Sequence, residues 1–148
     1  MTRYLLDTNL LIALAWPQHS HHAPAHAWFG ATGHQAWSTC PITQLGFVRI
    51  SSNPKIITHS VSPRQAMAML ERILAVPGHE FWPDGITPTT AAQFTSLALV
   101  GHRQVTDAYL LALAQHQGGK LATFDTGVPD LLPALADRPR YVAVIDVR

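Results

Sequence analysis

Acidic residues are scarce in this chain, nine in 148, and three of them stand where a sheet could bring them together. Asp7 ends the apolar run Tyr4-Leu5-Leu6, and Asp125 follows Leu121-Ala122-Thr123-Phe124. Both runs read as short strands. That puts both acids at C-terminal strand ends, the edge where open α/β sheets bind ligands. Asp107 opens a helical stripe with Leu110, Leu111 and Ala114, so its carboxylate is expected on the inner side of that helix, near its start. Three carboxylates in one crevice repel each other unless a cation intervenes. An all-oxygen donor set favours a hard ion, Mg²⁺ or Mn²⁺. Each acid alone also has an ordinary reading: Asp7 as a helix cap, Asp107 as a first-turn residue, Asp125 as a turn residue before Thr126-Gly127.

Strands and helices alternate around these positions. Strands are read at 4–6, 35–39, 79–82, 120–124 and 141–145. Helices are read at 9–15, stopped by Pro17; at 25–31, after a loop over 18–24; and at 41–51, with Pro41 in a favoured first position. Ser62 caps a helix running to about Ala75, with Ala66, Met69, Leu70 and Ile73 on one stripe. Thr87-Pro88 starts another, carrying Phe94, Leu97 and Ala98. Thr106 caps the helix through residue 116, which Gly118-Gly119 ends. Helices between short, nearly all-apolar strands predict a parallel sheet covered on both faces, an α/β three-layer sandwich. The length suits a single domain over 1–148.

Apolar residues make up 47% and charged residues 13%. Charged residues usually reach about 25%, so a partner is expected to cover part of the surface. The net charge of +1 supplies no global field toward nucleic acid, and any such binding must use a local patch. Cys40 is the only cysteine, which rules out an internal disulfide and suits a reducing compartment. Asp7 and Asn9 interrupt the N-terminal apolar run, unlike a secretory signal, and no uncharged stretch reaches the ~20 residues of a membrane span. A cytoplasmic location without membrane contact is the expectation. His19, His21, His22 and His26 cluster as zinc ligands sometimes do, but no Cys or acid joins them, and a polar loop is the reading adopted. Nucleotide-binding glycine motifs are absent.

The segments LLDTN ending at Asn9, ITQLGFVR at 42–49, VTDAYLLALA at 105–114 and LATFD at 121–125 resemble PIN-domain ribonucleases. Among these they are most similar to VapC-type toxins of bacterial toxin–antitoxin pairs, notably the mycobacterial group. The resemblance spans nearly the whole chain, in order. It implies a parallel sheet of about five strands and a Mg²⁺- or Mn²⁺-dependent endoribonuclease acting on transfer or ribosomal RNA. It also implies a homodimer and a small cognate antitoxin. Asp7, Asp107 and Asp125 match the family's acids, and Asn9 a polar position that supports the first. Gln44 stands where the family often has Glu. Three carboxylates instead of four imply weaker metal binding, or a shell that substrate phosphate completes. Arg49, Lys55, Arg103 and Lys120 are candidate phosphate contacts, and Trp16 and Phe124 candidate stacking platforms. Two alternatives remain open. One is a haloacid-dehalogenase-like phosphatase, whose second Asp would fall at Asn9. The other is a catalytically weakened PIN module that binds RNA or protein, supported by Gln44.

Overall fold

Leu5 and Leu6 point to opposite faces of one sheet, and the two halves of the core follow from that alternation. The computed structural model describes residues Met1–Arg148. Five strands run parallel: β1 (Tyr4–Leu6), β2 (Trp37–Thr39), β3 (His79–Phe81), β4 (Lys120–Thr123) and β5 (Val142–Val144), in the order β3-β2-β1-β4-β5. Leu5 pairs with Leu121 and Leu6 with Ala122. Leu5 and Leu121 join one buried cluster with Leu110, Leu111 and Leu113 of the helix α6 (Val105–His116). Leu6 and Ala122 join the other, against helices α1 (Thr8–Ala15), α2 (His22–Ala31), α3 (Pro41–Ser51) and α4 (Pro63–Leu74). The predicted three-layer α/β sandwich with a five-stranded parallel sheet is the observed architecture. No helix is long and apolar enough to cross a membrane.

Local chemistry sets the helix ends. Ser62 Oγ accepts from the Gln65 N–H at 3.1 Å while Gln65 Oε1 accepts from the Ser62 N–H at 2.9 Å, a reciprocal cap that starts α4 where expected. Gly118 has φ +74° and ends α6. Several boundaries differ from the sequence reading: the strands after the first are shorter, the second starting at Trp37 after a 3₁₀ turn over Gly33–Gln35, and helix ends shift. Helix α2 begins at His22, not Ala25, because Pro24 falls in its first turn, where the missing N–H is harmless. The helix predicted from Thr87-Pro88 shrinks to α5 (Ala92–Thr95). The Thr87 and Thr90 hydroxyls pair at 2.6 Å and Ala91 is extended, so side-chain bonding holds a turn instead. Helix α6 starts one residue before Thr106. Gln104 Oε1 accepts from the N–H groups of Val100 and Gly101 and closes a 3₁₀ turn that feeds it. A last short helix, α7 (Arg138–Tyr141), had no clear signal in the sequence.

Helices α1 and α3 cross closely at Gly46. A β-carbon there would lie 2.7 Å from the Thr8 methyl group, so glycine is required by contact. Because Thr8 follows Asp7, this contact fixes where the first acid stands. Gly46→Ala is expected to overpack the crossing and destabilise the protein by about 1–3 kcal/mol. A thermal melt checks this, and an unchanged Tm would mean the two helices have room.

Candidate active site

Asp7 stands where β1 turns into α1. Its backbone is extended (φ −60°, ψ 152°), its carbonyl accepts from the N–H groups of Leu10 and Leu11, and its Oδ1 accepts from the Thr8 N–H at 2.7 Å. The capping role is therefore real. Only one oxygen serves it. The other, Oδ2, accepts from the Thr123 hydroxyl at 2.8 Å. Thr123 Oγ1 in turn accepts from the Asp125 N–H at 3.1 Å. One buried threonine thus ties the first acid to the backbone that carries the third. The only sign of it in the sequence is a polar residue closing the strand Lys120–Thr123, and its long-range partner was not predictable.

Asp125 is exposed, and its Oδ1 accepts from the Gly127 N–H at 2.8 Å, as the turn reading expects. Asp107 is half-buried in the first turn of α6, on the stripe that carries Leu110, Leu111 and Ala114 into the core. No hydrogen bond to its carboxylate offsets its desolvation. Burial pushes its pKa up to about 6, with the charges of Asp7 and then Asp125 adding to the shift. Burial also raises the pKa of Asp7. The bonds from Thr123 and Thr8 oppose that rise, and the charge of Asp125 reinforces it. The three carboxylates therefore share one electrostatic site.

Asp107 and Asp125 line a cleft of about 240 Å³ together with Arg103, Gln104 and Gly127. No three His, Cys, Asp or Glu side chains stand close enough to hold a metal ion by themselves, so the crevice is open, not a closed cage. The donor set fits a hard divalent ion of the Mg²⁺ type. Such ions bind through one or two carboxylates and keep water or phosphate oxygens in the rest of their shell. Burial beside the charges of Asp7 and Asp125 disfavours the Asp107 carboxylate, and a cation bound in the crevice would favour it.

Other candidates stand elsewhere than expected. Asn9 does not support Asp7; its Oδ1 accepts from His19 Nε2 at 3.1 Å, since Thr8 and Thr123 already occupy the acid. Gln44 donates to Thr39 Oγ1 at 3.0 Å and lines a separate cleft with Leu45 and Phe81. Arg103 lies in the acidic cleft, whereas Arg49 is exposed on the last turn of α3 and does not line it. Lys55 is exposed in a turn, and Lys120 starts β4 at the opposite edge of the sheet. Phe124 is half-buried, with the rings of His19 and His21 against it at 6.4 and 4.9 Å. Trp16 is half-buried, its indole N–H on Ser51 Oγ at 3.0 Å. The histidine loop serves structure. His22 and His26 donate to the carbonyls of Ala13 and Leu14 at the end of α1.

Residues 4–131 match the PIN domain family. Ribonuclease VapC39 of Mycobacterium tuberculosis is 45% identical over 126 residues, covering 85% of this chain and 91% of that protein. Ribonuclease VapC38 of the same organism is 45% identical over 124 residues, covering 84% and 86%. A solved structure of VapBC2 from Rickettsia felis, bound to a DNA fragment from its promoter, superposes with a TM-score of 0.59. It does so at 13% identity over 97% of this chain and 99% of that one.

The raised pKa of Asp107 fixes the sign of a stability effect. Between 3.8, the ordinary value, and about 6, the folded chain keeps a proton that the unfolded chain has released. Stability therefore falls as pH rises through that window and stays reduced above it. Asp107→Asn is expected to raise the Tm of metal-free protein at pH 7.5 by about 2–5 °C, with little gain at pH 4. Melting both proteins at the two pH values checks this. A lower Tm for the variant at pH 7.5 would mean the charge is well compensated.

Proposed function

This chain belongs to the PIN-domain family, with VapC ribonucleases as relatives, and on that premise we propose that it is a divalent-metal-dependent endoribonuclease, the toxin of a toxin–antitoxin pair. The observation that carries the reading is Asp107. It is a half-buried carboxylate with no hydrogen-bond donor, its pKa raised to about 6 beside two further acids. Its carboxylate opens into the cleft that Asp125 and Arg103 also line.

In this reading Asp7 and Asp107 hold the ion and Asp125 completes the site or orients the attacking water. Mg²⁺ is proposed, with Mn²⁺ able to replace it; when bound, the ion polarises the scissile phosphate and eases deprotonation of water. Thr8 and Thr123 keep Asp7 Oδ1 and Oδ2 in fixed directions. The exposed guanidinium of Arg103 in the same cleft suits a phosphate oxygen. Gln44 adds no carboxylate to the site, so the ion would rest on the three aspartates and would bind more weakly than beside a further Glu. The whole chain is read as one domain, working in the cytoplasm as a homodimer on transfer or ribosomal RNA. That the Rickettsia felis neighbour is a VapBC assembly supports a small antitoxin as partner.

A haloacid-dehalogenase-like phosphatase is disfavoured. The family match is to PIN, and position 9, where that chemistry needs a second acid, is an asparagine bonded to His19. A non-catalytic module rests on Gln44 alone, which three remaining acids outweigh.

Inducing the wild-type chain and sequencing cellular RNA ends is expected to reveal new cuts at a small set of sites, absent with Asp7→Asn. Identical ends in both strains would reject the reading. Thr123→Val is expected to lower activity by about 10–100-fold with a much smaller change in Tm, because it releases Asp7 Oδ2. Purified-enzyme kinetics beside a melt measure both, and full activity in that variant would mean the threonine does not position Asp7.

A further inference from the structure

We propose that the cleft between Trp16, His19 and the 56–58 turn is a subsite for one unpaired base of the RNA substrate; this rests on the nuclease reading above and adds to it where sequence preference is decided. The cleft holds about 270 Å³. That is below the roughly 300–1,000 Å³ of pockets that take drug-sized ligands, and it leaves room for a single flat heterocycle.

Its lining matches the chemistry of a base. Ile12, Ile50 and Ile57 supply an apolar floor. Two aromatic rings are held in place beside it. The Trp16 indole N–H donates to Ser51 Oγ at 3.0 Å. His19 Nδ1 accepts from the His21 N–H at 3.0 Å, so its Nε2 carries the proton given to Asn9 Oδ1 at 3.1 Å. Fixed rings lose little entropy when a base stacks on them. Asn9, Gln18 and Thr58 bring amide and hydroxyl groups to the same cleft, and the last two are exposed. Such groups read the polar edge of an unstacked base. No Asp, Glu, Lys or Arg lines the cleft, so it is built for the neutral part of a nucleotide, with phosphate left to Arg103 and the acids.

The cleft adjoins the acids through two of its own residues. Asn9 lies in the first turn of α1, which Asp7 caps. His19 stacks at 6.4 Å and 22° on Phe124, the residue before Asp125. Two held rings beside amide and hydroxyl groups suit the flat face and the polar edge of a base together, which favours a base over a partner side chain.

The test uses the full-length chain. Binding of fluorescent single-stranded RNA hexamers, each with a different base at one position, is measured with Asp107→Asn protein in Ca²⁺. It is repeated after adding Gln18→Ala or Thr58→Ala, with melts to verify folding. Cleavage of the same hexamers by proteins carrying Asp107 is run alongside in Mg²⁺. The expected result is a preference for one base at one position, with either alanine variant losing about tenfold in affinity for the preferred RNA and flattening the preference. Cleavage with an unchanged preference in both folded variants would overturn the subsite while leaving the nuclease reading intact. Base-selective binding that the variants abolish, without cleavage by any protein, would support the subsite and reject the nuclease reading. Hexamers that bind no protein, or a cleft that instead takes an apolar protein segment and leaves RNA binding unmoved by the variants, would overturn the subsite.

Discussion

Negative charge held close together against its own repulsion is the constraint from which the rest of this molecule follows. Asp7 is desolvated and still has two donors, the Thr8 N–H and the Thr123 hydroxyl, that favour its charged form. Asp107 is desolvated with none, and its carboxyl is pushed up to about 6. A chain selected for stability alone would not keep such a group beside two others. The open crevice makes sense as a place that a cation and a phosphate oxygen complete together.

The sheet does the positioning. Parallel strands in the order β3-β2-β1-β4-β5 put the C-terminal ends of β1 and β4 side by side, with the Asp7 N–H on the Ala122 carbonyl at 3.0 Å. Residues 7 and 125, far apart in sequence, thereby become neighbours. Helix α6 packs across the same strands and brings Asp107 from above, anchored by Leu110, Leu111 and Leu113 in the core. On the opposite face, Gly46 lets α3 approach Thr8 and so fixes the turn that carries Asp7. The acids are precise because the apolar packing under them is.

Much of this was legible in the sequence, since it depends on periodicity and strand ends. Short apolar runs followed by an acid, and a helix whose core stripe begins with an acid, are local patterns. What stayed hidden depends on partners distant in the chain. Nothing near Asn9 says that His19 will take its side chain, nor near Gln44 that Thr39 will hold its amide. Nothing near Thr123 marks it as the support of Asp7. The failed helix at Thr87-Pro88 has a local cause, competition from threonine hydroxyls, which helix signals such as Pro at the first turn do not register. The early start of α2 is permitted by Pro24 in its first turn and supported by His22 docking on the end of α1, a tertiary contact that outweighs a weak loop signal.

The most direct test is the affinity of the protein for Mn²⁺ as a function of pH, followed by calorimetry or by the ion's electron spin resonance. If Asp107 must lose its proton to bind the ion, affinity for wild type falls about tenfold per unit as pH drops below about 6. The same fall would be missing from the weak residual binding of an Asp107→Asn chain. Binding that is equally tight in both proteins, and flat across that pH range, would contradict the account.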